Sequence, residues 1–250
     1  MVVRKAFERI SEVTERLASG DRRAAILTVS VLPAFAIKWL VPRLGKFQQL
    51  HPHIEVRITT SKELTDFAKD DVDIVIRHGL GRYPGLRSWY LFAEDLVPVC
   101  SPKLLKGAAS LRSKGAVSLR SIRDLRNHTL LHDQYRRDWG LWLDAAHCTG
   151  VDATRGPSFS DDAAMLEAAI EGQGVALGLS TLIERDLMAG RLVKPFDVRL
   201  ANEFAYYILC PEARSTVPKL VAFRDWLLSE VAPAQRLSQS RTRQLSRGRA

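Results

Sequence analysis

Apolar residues recur along this chain at two spacings, and the spacing changes in an ordered way. Ile26 to Leu32 is a short apolar run; Trp39, Leu40, Leu44 and Phe47 fall on one face of a helix from about Phe35 to Gln49; Ile54, Val56 and Ile58 then alternate with polar neighbours. Steps of three and four predict an amphipathic helix, and steps of two a half-buried strand. The segment LTVSVLPAFAIKWLVPRLGKFQQLHPHIEVRI therefore reads strand, loop, helix, strand. Pro42 lies inside the helix and has no amide donor, which predicts either a kink or a first regular turn close to Pro42. A short helix over Lys62–Lys69 and a buried strand over Val72–Arg77 extend the order to β-α-β-α-β. Such alternation belongs to a parallel sheet with helices on its faces.

Two strands are expected next, Leu86–Phe92 and Asp95–Cys100, then a helix at Lys103 and a polar connection from Gly107 to Arg120. A second unit repeats the first plan in different letters. It holds a strand at Thr129–His132, a Trp-rich helix at Trp139–His147, a strand ending near Phe159, a helix at Asp161–Glu171 and a strand at Val175–Leu179. A helix at Thr181–Met188, a strand at Phe204–Cys210 and a helix at Val217–Glu230, striped by Leu220, Phe223, Leu227 and Val231, follow. The runs VPVCSP and ILCP are extended, apolar and closed by proline, which forces its predecessor into extended geometry. Side by side they would make a hinge, with Cys100 and Cys210 as neighbours. The expected fold is α/β, two Rossmann-like lobes joined by two hinge-crossing strands. Residues 25–98 and 209–233 would form the first lobe and 99–208 the second.

Ahead of this body, Val3, Phe7, Ile10 and Leu17 make a heptad-like stripe over residues 1–20, ended by Gly20 and Asp21. A helix of about 16 residues has little stability alone in water. The stripe must pack either on the body or on a second copy of the chain.

Composition narrows the function classes. The chain has 250 residues, 46% of them hydrophobic, enough to bury a substantial core. No apolar run approaches the roughly 18 to 20 residues of a membrane span, and charges throughout the first twenty residues do not fit a secretory signal. A cytoplasmic protein without a membrane partner is expected. Three scattered cysteines suit reduced thiols and no disulfide framework. The formal charge is +9, but five of the arginines lie in the acid-free stretch 234–250, expected to be a disordered tail. Such a tail could touch nucleic acid or a membrane surface only nonspecifically.

Motifs for catalysis are weak. Gly172-Gln173-Gly174 follows a helix and enters a strand, the reverse of a dinucleotide-binding loop, and reads as a helix stop. His51 and His53 flank Pro52 with no third ligand at zinc spacing. No G-x-S-x-G elbow is present. The expectation is no enzyme, no cofactor and no metal.

The run VLPAFAIKWLVPRLGKFQQLHPHIEVRI, with DVDIVIRHG, DLVPVCSPKLL, LLHDQYRRDWGLWL and FSDDAAMLEAAIEGQGVALGLSTLIERDLMAGRLVKPF, closely resembles the effector-binding domain of LysR-type transcriptional regulators. Within them it looks most like the glycine-cleavage-activator and β-lactamase-regulator group. The resemblance covers about Leu27 to Val231. It implies a fold like the type II periplasmic binding proteins, with a small-molecule effector in the cleft between lobes. It also implies a homodimer, or a tetramer at full length, paired through the leading linker helix. Members of the family begin with a winged helix-turn-helix, for which there is no room before Leu27, so DNA contact is expected only through such a module. A free-standing solute-binding protein for a small anionic ligand is the alternative, disfavoured by the missing signal peptide and the dimer-like helix.

Ligands of α/β sheets bind beyond the carboxyl ends of the strands. Here that sets Leu32 to Ala36 opposite Ser160 and Asp161, two helix starts whose free amides and positive dipole ends suit an anionic group. Ser160 and Asp161 are equally an ordinary cap. The resemblance carries the effector contacts onto Ala34, Phe35, Ala36 and Ile37, onto Arg77 and His78, onto His132 and Asp133, and onto Ser160 and Asp161. Relatives often have a hydroxyl at the first helix start, where this chain has none. Arg77 could pair a ligand carboxylate through its planar fork, or form a salt bridge with Asp73 or Asp95. Tyr206 or Tyr207, with Tyr207 preferred, could close over the ligand.

Overall fold

A computed structural model describes residues 25–63, 65–105 and 118–231. The expected leading helix, the tail, and the 107–117 part of the polar connection lie outside these residues.

The chain starts with β1 (Ala25–Val31), in which Leu27, Val29 and Val31 are fully buried. The helix α1 follows in three joined stretches, Pro33–Phe35, Ala36–Leu40 and Val41–Leu50. The middle stretch is π-helical: the amide of Val41 reaches back five residues to the Ala36 carbonyl. This is how the helix accommodates Pro42. A proline at position 42 cannot donate to the carbonyl four residues before it, and one widened turn absorbs the mismatch before regular helix resumes at Val41.

Seven strands form one sheet in the order β2-β1-β3-β7-β4-β6-β5. Strands β2 (Ile54–Thr60) and β3 (Ile74–Gly79) pair in parallel with β1. At the other end β5 (Leu130–Leu131) and β6 (Val175–Leu179) are also parallel. Between these groups run two long antiparallel strands, β4 (Leu86–Cys100) and β7 (Leu200–Pro211). The start of β4 pairs with β7 alongside β3, and the end of β4 pairs with β6. Register shifts at Tyr90/Phe92 and Ala93/Asp95 mark the passage from one half to the other. The resulting two lobes have the type II periplasmic-binding-protein arrangement.

Lobe II also holds the short helices α2 (Pro102–Leu105), α3 (Asp138–Ala145), α4 (Asp162–Ile170) and α5 (Glu184–Met188). The last helix, α6 (218–231), returns to lobe I. There Phe223 and Trp226 pack on Phe47 of α1, with ring centroids 5.1 and 5.2 Å away.

Several expectations need correction. The two strands anticipated over 86–100 are one bulged strand. The crossing falls at these bulges, several residues before the proline-closed ends proposed for it. Cys100 faces Val175 in the β4–β6 pairing while Cys210 faces Arg87 in the β4–β7 pairing, so the two cysteines sit at opposite ends of the crossing rather than side by side. The described residues of 62–69 form no helix. The side chain of Asp66 accepts from the amide of Ala68, and that of Asp70 from the amide of Asp66, closing a local turn in place of a helical ladder. The strand expected near Phe159 is a single bridge between His132 and Ser158.

Candidate functional site

A cavity of about 570 Å³ opens between the lobes, where β1 and β3 of one lobe and β5 and β6 of the other come to their carboxyl ends. Its floor is the crossing itself, with Leu96 of β4 and Asn202, Phe204 and Tyr206 of β7. The lobe I wall carries Leu32, Ala34, Lys62, Arg77, His78 and Tyr83. The lobe II wall carries Asp133, Asp138 and, at the start of α4, Ser160, Asp161 and Asp162.

Of the residues named from the sequence, Ala34, Arg77, His78, Asp133, Ser160 and Asp161 line this cavity. Phe35, Ala36, Ile37, His132 and Tyr207 do not. A helix turns about 100° per residue, so four consecutive positions cannot face one way. Phe35 is buried behind the wall, stacked on Trp39 and packed on Tyr206; Ala36 is core; Ile37 is 57% exposed on the outer face. His132 is buried, its Nε2 3.0 Å from the carbonyl of Arg155. Tyr207 points to the opposite face of β7, against Tyr83 and Tyr90, because successive strand residues alternate.

Arg77 has a role neither reading anticipated. Its terminal nitrogens donate to the carbonyls of Ser30, Ile76 and Glu63 and to the hydroxyls of Ser30 and Thr65, at 3.0 to 3.2 Å. Asp73 is held by Lys219 instead, and Asp95 lies 4.0 Å from Arg199. The fork of Arg77 ties β1, β3 and the segment after β2 together; it is committed before any ligand arrives.

The electrostatics of the cavity are divided by lobe. His78 packs at a tilt on Tyr206, ring centroids 4.8 Å apart, and burial pushes its imidazole down to about 4, so it is neutral at pH 7. Burial, together with neighbouring Asp161, Asp133 and Asp138, pushes Asp162 up to about 6, against the opposing pull of Lys62. Asp138 is raised by burial and by Asp133. Asp161 caps α4 with one oxygen, accepting from the amide of Ala163 at 2.9 Å, while its other oxygen is buried without a partner. At the start of α1 no side chain caps the helix, which leaves the amides of Ala34 and Phe35 without that partner. Among the described residues no cluster of three metal-type ligands assembles.

Residues 20–232 match the family described as LysR substrate binding domain. The chain belongs to that family. It is 42% identical over 233 residues to the glycine cleavage system transcriptional activator of Escherichia coli (strain K12), covering 93% of this chain and 73% of that protein. Identity to the HTH-type transcriptional activator AmpR of Pseudomonas aeruginosa is 34% over 228 residues, covering 91% and 73%. The solved effector domain of P. aeruginosa AmpR superimposes with a TM-score of 0.71 at 33% identity, covering 86% of this chain and 99% of that one. This LysR domain is thus the effector-sensing part of a LysR-type transcriptional regulator, which sets aside a free-standing solute-binding protein.

Sequence reasoning missed Lys62, Tyr83, Asp138 and Asp162 as cavity residues, and of its two tyrosine alternatives it preferred Tyr207, whereas Tyr206 lines the cavity. Asp162 was readable beside Ser160 and Asp161, but capping accounted for it. Tyr206 needed the β3–β7 register, which sets it opposite His78.

Proposed function

We propose that the LysR domain binds a small-molecule effector in the interlobe cavity through the residues that line it. The change in lobe or subunit geometry passes to a helix-turn-helix module, and no catalysis is involved. The cavity carries the reading: it is enclosed by both lobes and floored by the strands that join them, so its occupant must feel any change in their angle. An effector shifts a regulator only by binding two arrangements with different affinity, and a site made half by each lobe supplies that difference. An anionic group of the effector is set against Lys62 rather than Arg77, whose fork is already used. In the same reading the regulator works in the cytoplasm as a homodimer, or a tetramer at full length, with residues 1–20 pairing two copies.

The test is a calorimetric screen of amino acids, small carboxylates and cell-wall fragments against the chain and its Ser160→Trp variant. Ser160 is exposed at the cavity rim, so the indole fills the cleft without disturbing the core. A ligand of the cleft should lose at least about tenfold in affinity in that variant, a cost near 1.4 kcal/mol. A hit that binds both proteins equally would move the site elsewhere.

A further inference from the structure

We propose that the effector of this LysR domain carries a cationic ammonium group, held by the lobe II wall at Asp161 and Asp162, together with an anionic group facing Lys62: a zwitterion of the amino-acid or short-peptide class. This rests on the cavity being the effector site.

Three observations converge on it. The first is the separation of charge. All four carboxylates of the cavity, Asp133, Asp138, Asp161 and Asp162, stand on lobe II, and Lys62 stands across from them on lobe I. The cations within the cavity offset that wall only in part. Arg137 lies 4.0 Å from Asp138 and is 64% exposed, while Arg77 is turned to Ser30, Glu63 and Thr65. A simple anion placed against lobe II would meet four carboxylates and the one cation Arg137, which is costly in a partly desolvated site.

The second is an acceptor waiting for a donor. One oxygen of Asp161 is buried with no hydrogen-bond partner. Buried carboxylate oxygens are nearly always satisfied, and an ammonium brings three donors.

The third is Tyr206. It is 1% exposed, lines the cavity and packs against His78 and Phe92. Burial, with Glu94, Asp162 and Asp161 nearby, holds the phenol protonated far above neutral pH. A buried phenol beside three carboxylates sets a hydroxyl where the ligand's polar end would lie. Leu96, Leu166, Leu177, Leu179 and Phe204 complete an apolar bed for a side chain. A volume of about 570 Å³ exceeds the need of the smallest amino acids and suits a large one or a short peptide.

The field around Asp162 adds a signature. Its carboxyl, pushed up to about 6, faces Lys62, Asp133, Asp138, Asp161 and Tyr206. An ammonium stabilises the ionised form, so affinity for it should rise from pH 5 to pH 7. A ligand with only a carboxylate should show the opposite slope.

The experiment titrates the chain with L-phenylalanine and glycyl-L-phenylalanine, and with hydrocinnamate and N-acetyl-glycyl-L-phenylalanine, which keep the carboxylate and lack the ammonium. The expected result is binding of one of the first pair, at least about tenfold tighter than its counterpart without the ammonium. Asp161→Asn should erase most of that ratio, and Ser160→Trp should abolish both members. Equal or tighter binding of the amine-free counterparts overturns the proposal, as does a ratio unchanged in Asp161→Asn, or no binding by any of the four. If the amine-free ligands bind and are lost in Ser160→Trp, the cleft still stands as the effector site and the zwitterion alone fails. Binding indifferent to Ser160→Trp removes both.

Discussion

The substitution Lys38→Met should loosen the junction of the lobes. Lys38 sits in the π-helical stretch of α1 on lobe I and is 8% exposed. Its ammonium lies 2.7 Å from Glu167 of α4 and 3.1 Å from Asp186 of α5, both on lobe II. Asp186 is 1% exposed and also bonded by Arg191; Glu167 is 58% exposed. Removing one partner of a buried pair costs about 3–5 kcal/mol, because the other charge stays buried. Two features lower that figure here. Arg191 remains on Asp186, and the Glu167 bond, largely solvated, contributes under about 1 kcal/mol. Methionine keeps the aliphatic stem packed. The expected loss is about 2–3 kcal/mol, read as a lower urea midpoint at unchanged m-value. The double variant Lys38→Met, Asp186→Leu should recover at least about half, since it leaves no buried charge behind and frees only the half-exposed Arg191. A single variant within about 0.5 kcal/mol of the parent, or a double variant whose loss is the sum of the two singles, would refute the coupling.

Two buried groups should give stability opposing pH dependences, which nearly cancel between pH 4.5 and 6.5 in the parent chain. Glu94 is buried, with Oε2 accepting from Ser180 Oγ at 2.6 Å and the Thr181 amide at 2.8 Å, and burial pushes it up to about 7 from 4.5. The folded chain therefore holds a proton that the unfolded chain gives up above 4.5. The stability this contributes is full below that pH and is lost as pH rises to 7, up to about 3 kcal/mol. His78, pushed down to about 4 from 6.5, acts in reverse: its contribution is full above 6.5 and is lost as pH falls to 4. Urea midpoints across pH 4–8 should rise with pH up to 6.5 in Glu94→Gln and fall with pH above 4.5 in His78→Phe; profiles parallel to the parent's would exclude these groups. Gly156 has a φ of +123°, and a Cβ there would lie 1.9 Å from the Leu130 carbonyl oxygen. Gly156→Ala should cost at least about 4 kcal/mol or prevent folding, and a wild-type urea midpoint would contradict the packing of this segment on β5.

What could be read from the chain and what could not divides along a physical line. The strand–helix–strand plan over 25–60 was legible because burial follows local spacing: Leu27, Val29 and Val31 alternate into the core, and Trp39, Leu40 and Phe47 close over it. The segment 62–69 misled because Asp66 and Asp70 spend their side chains on nearby amides, a competition that periodicity does not register. The crossing misled for another reason. Whether Tyr206 or Tyr207 faces the cavity depends on pairing with β3, more than a hundred residues earlier, and a shift of one residue reverses the answer. The charge of the site was hidden most deeply. Lys62, Asp133, Asp138, Asp161 and Asp162 come from separate connections and helix starts, where charged residues are ordinary. Asp161 shows why local reasoning stops there: one oxygen caps α4, as its position predicts, and the same residue, on the cavity wall, keeps a second, buried oxygen without a partner. A cap and a ligand contact are thus compatible roles for one carboxylate, and only the closing of the two lobes puts the second role within reach.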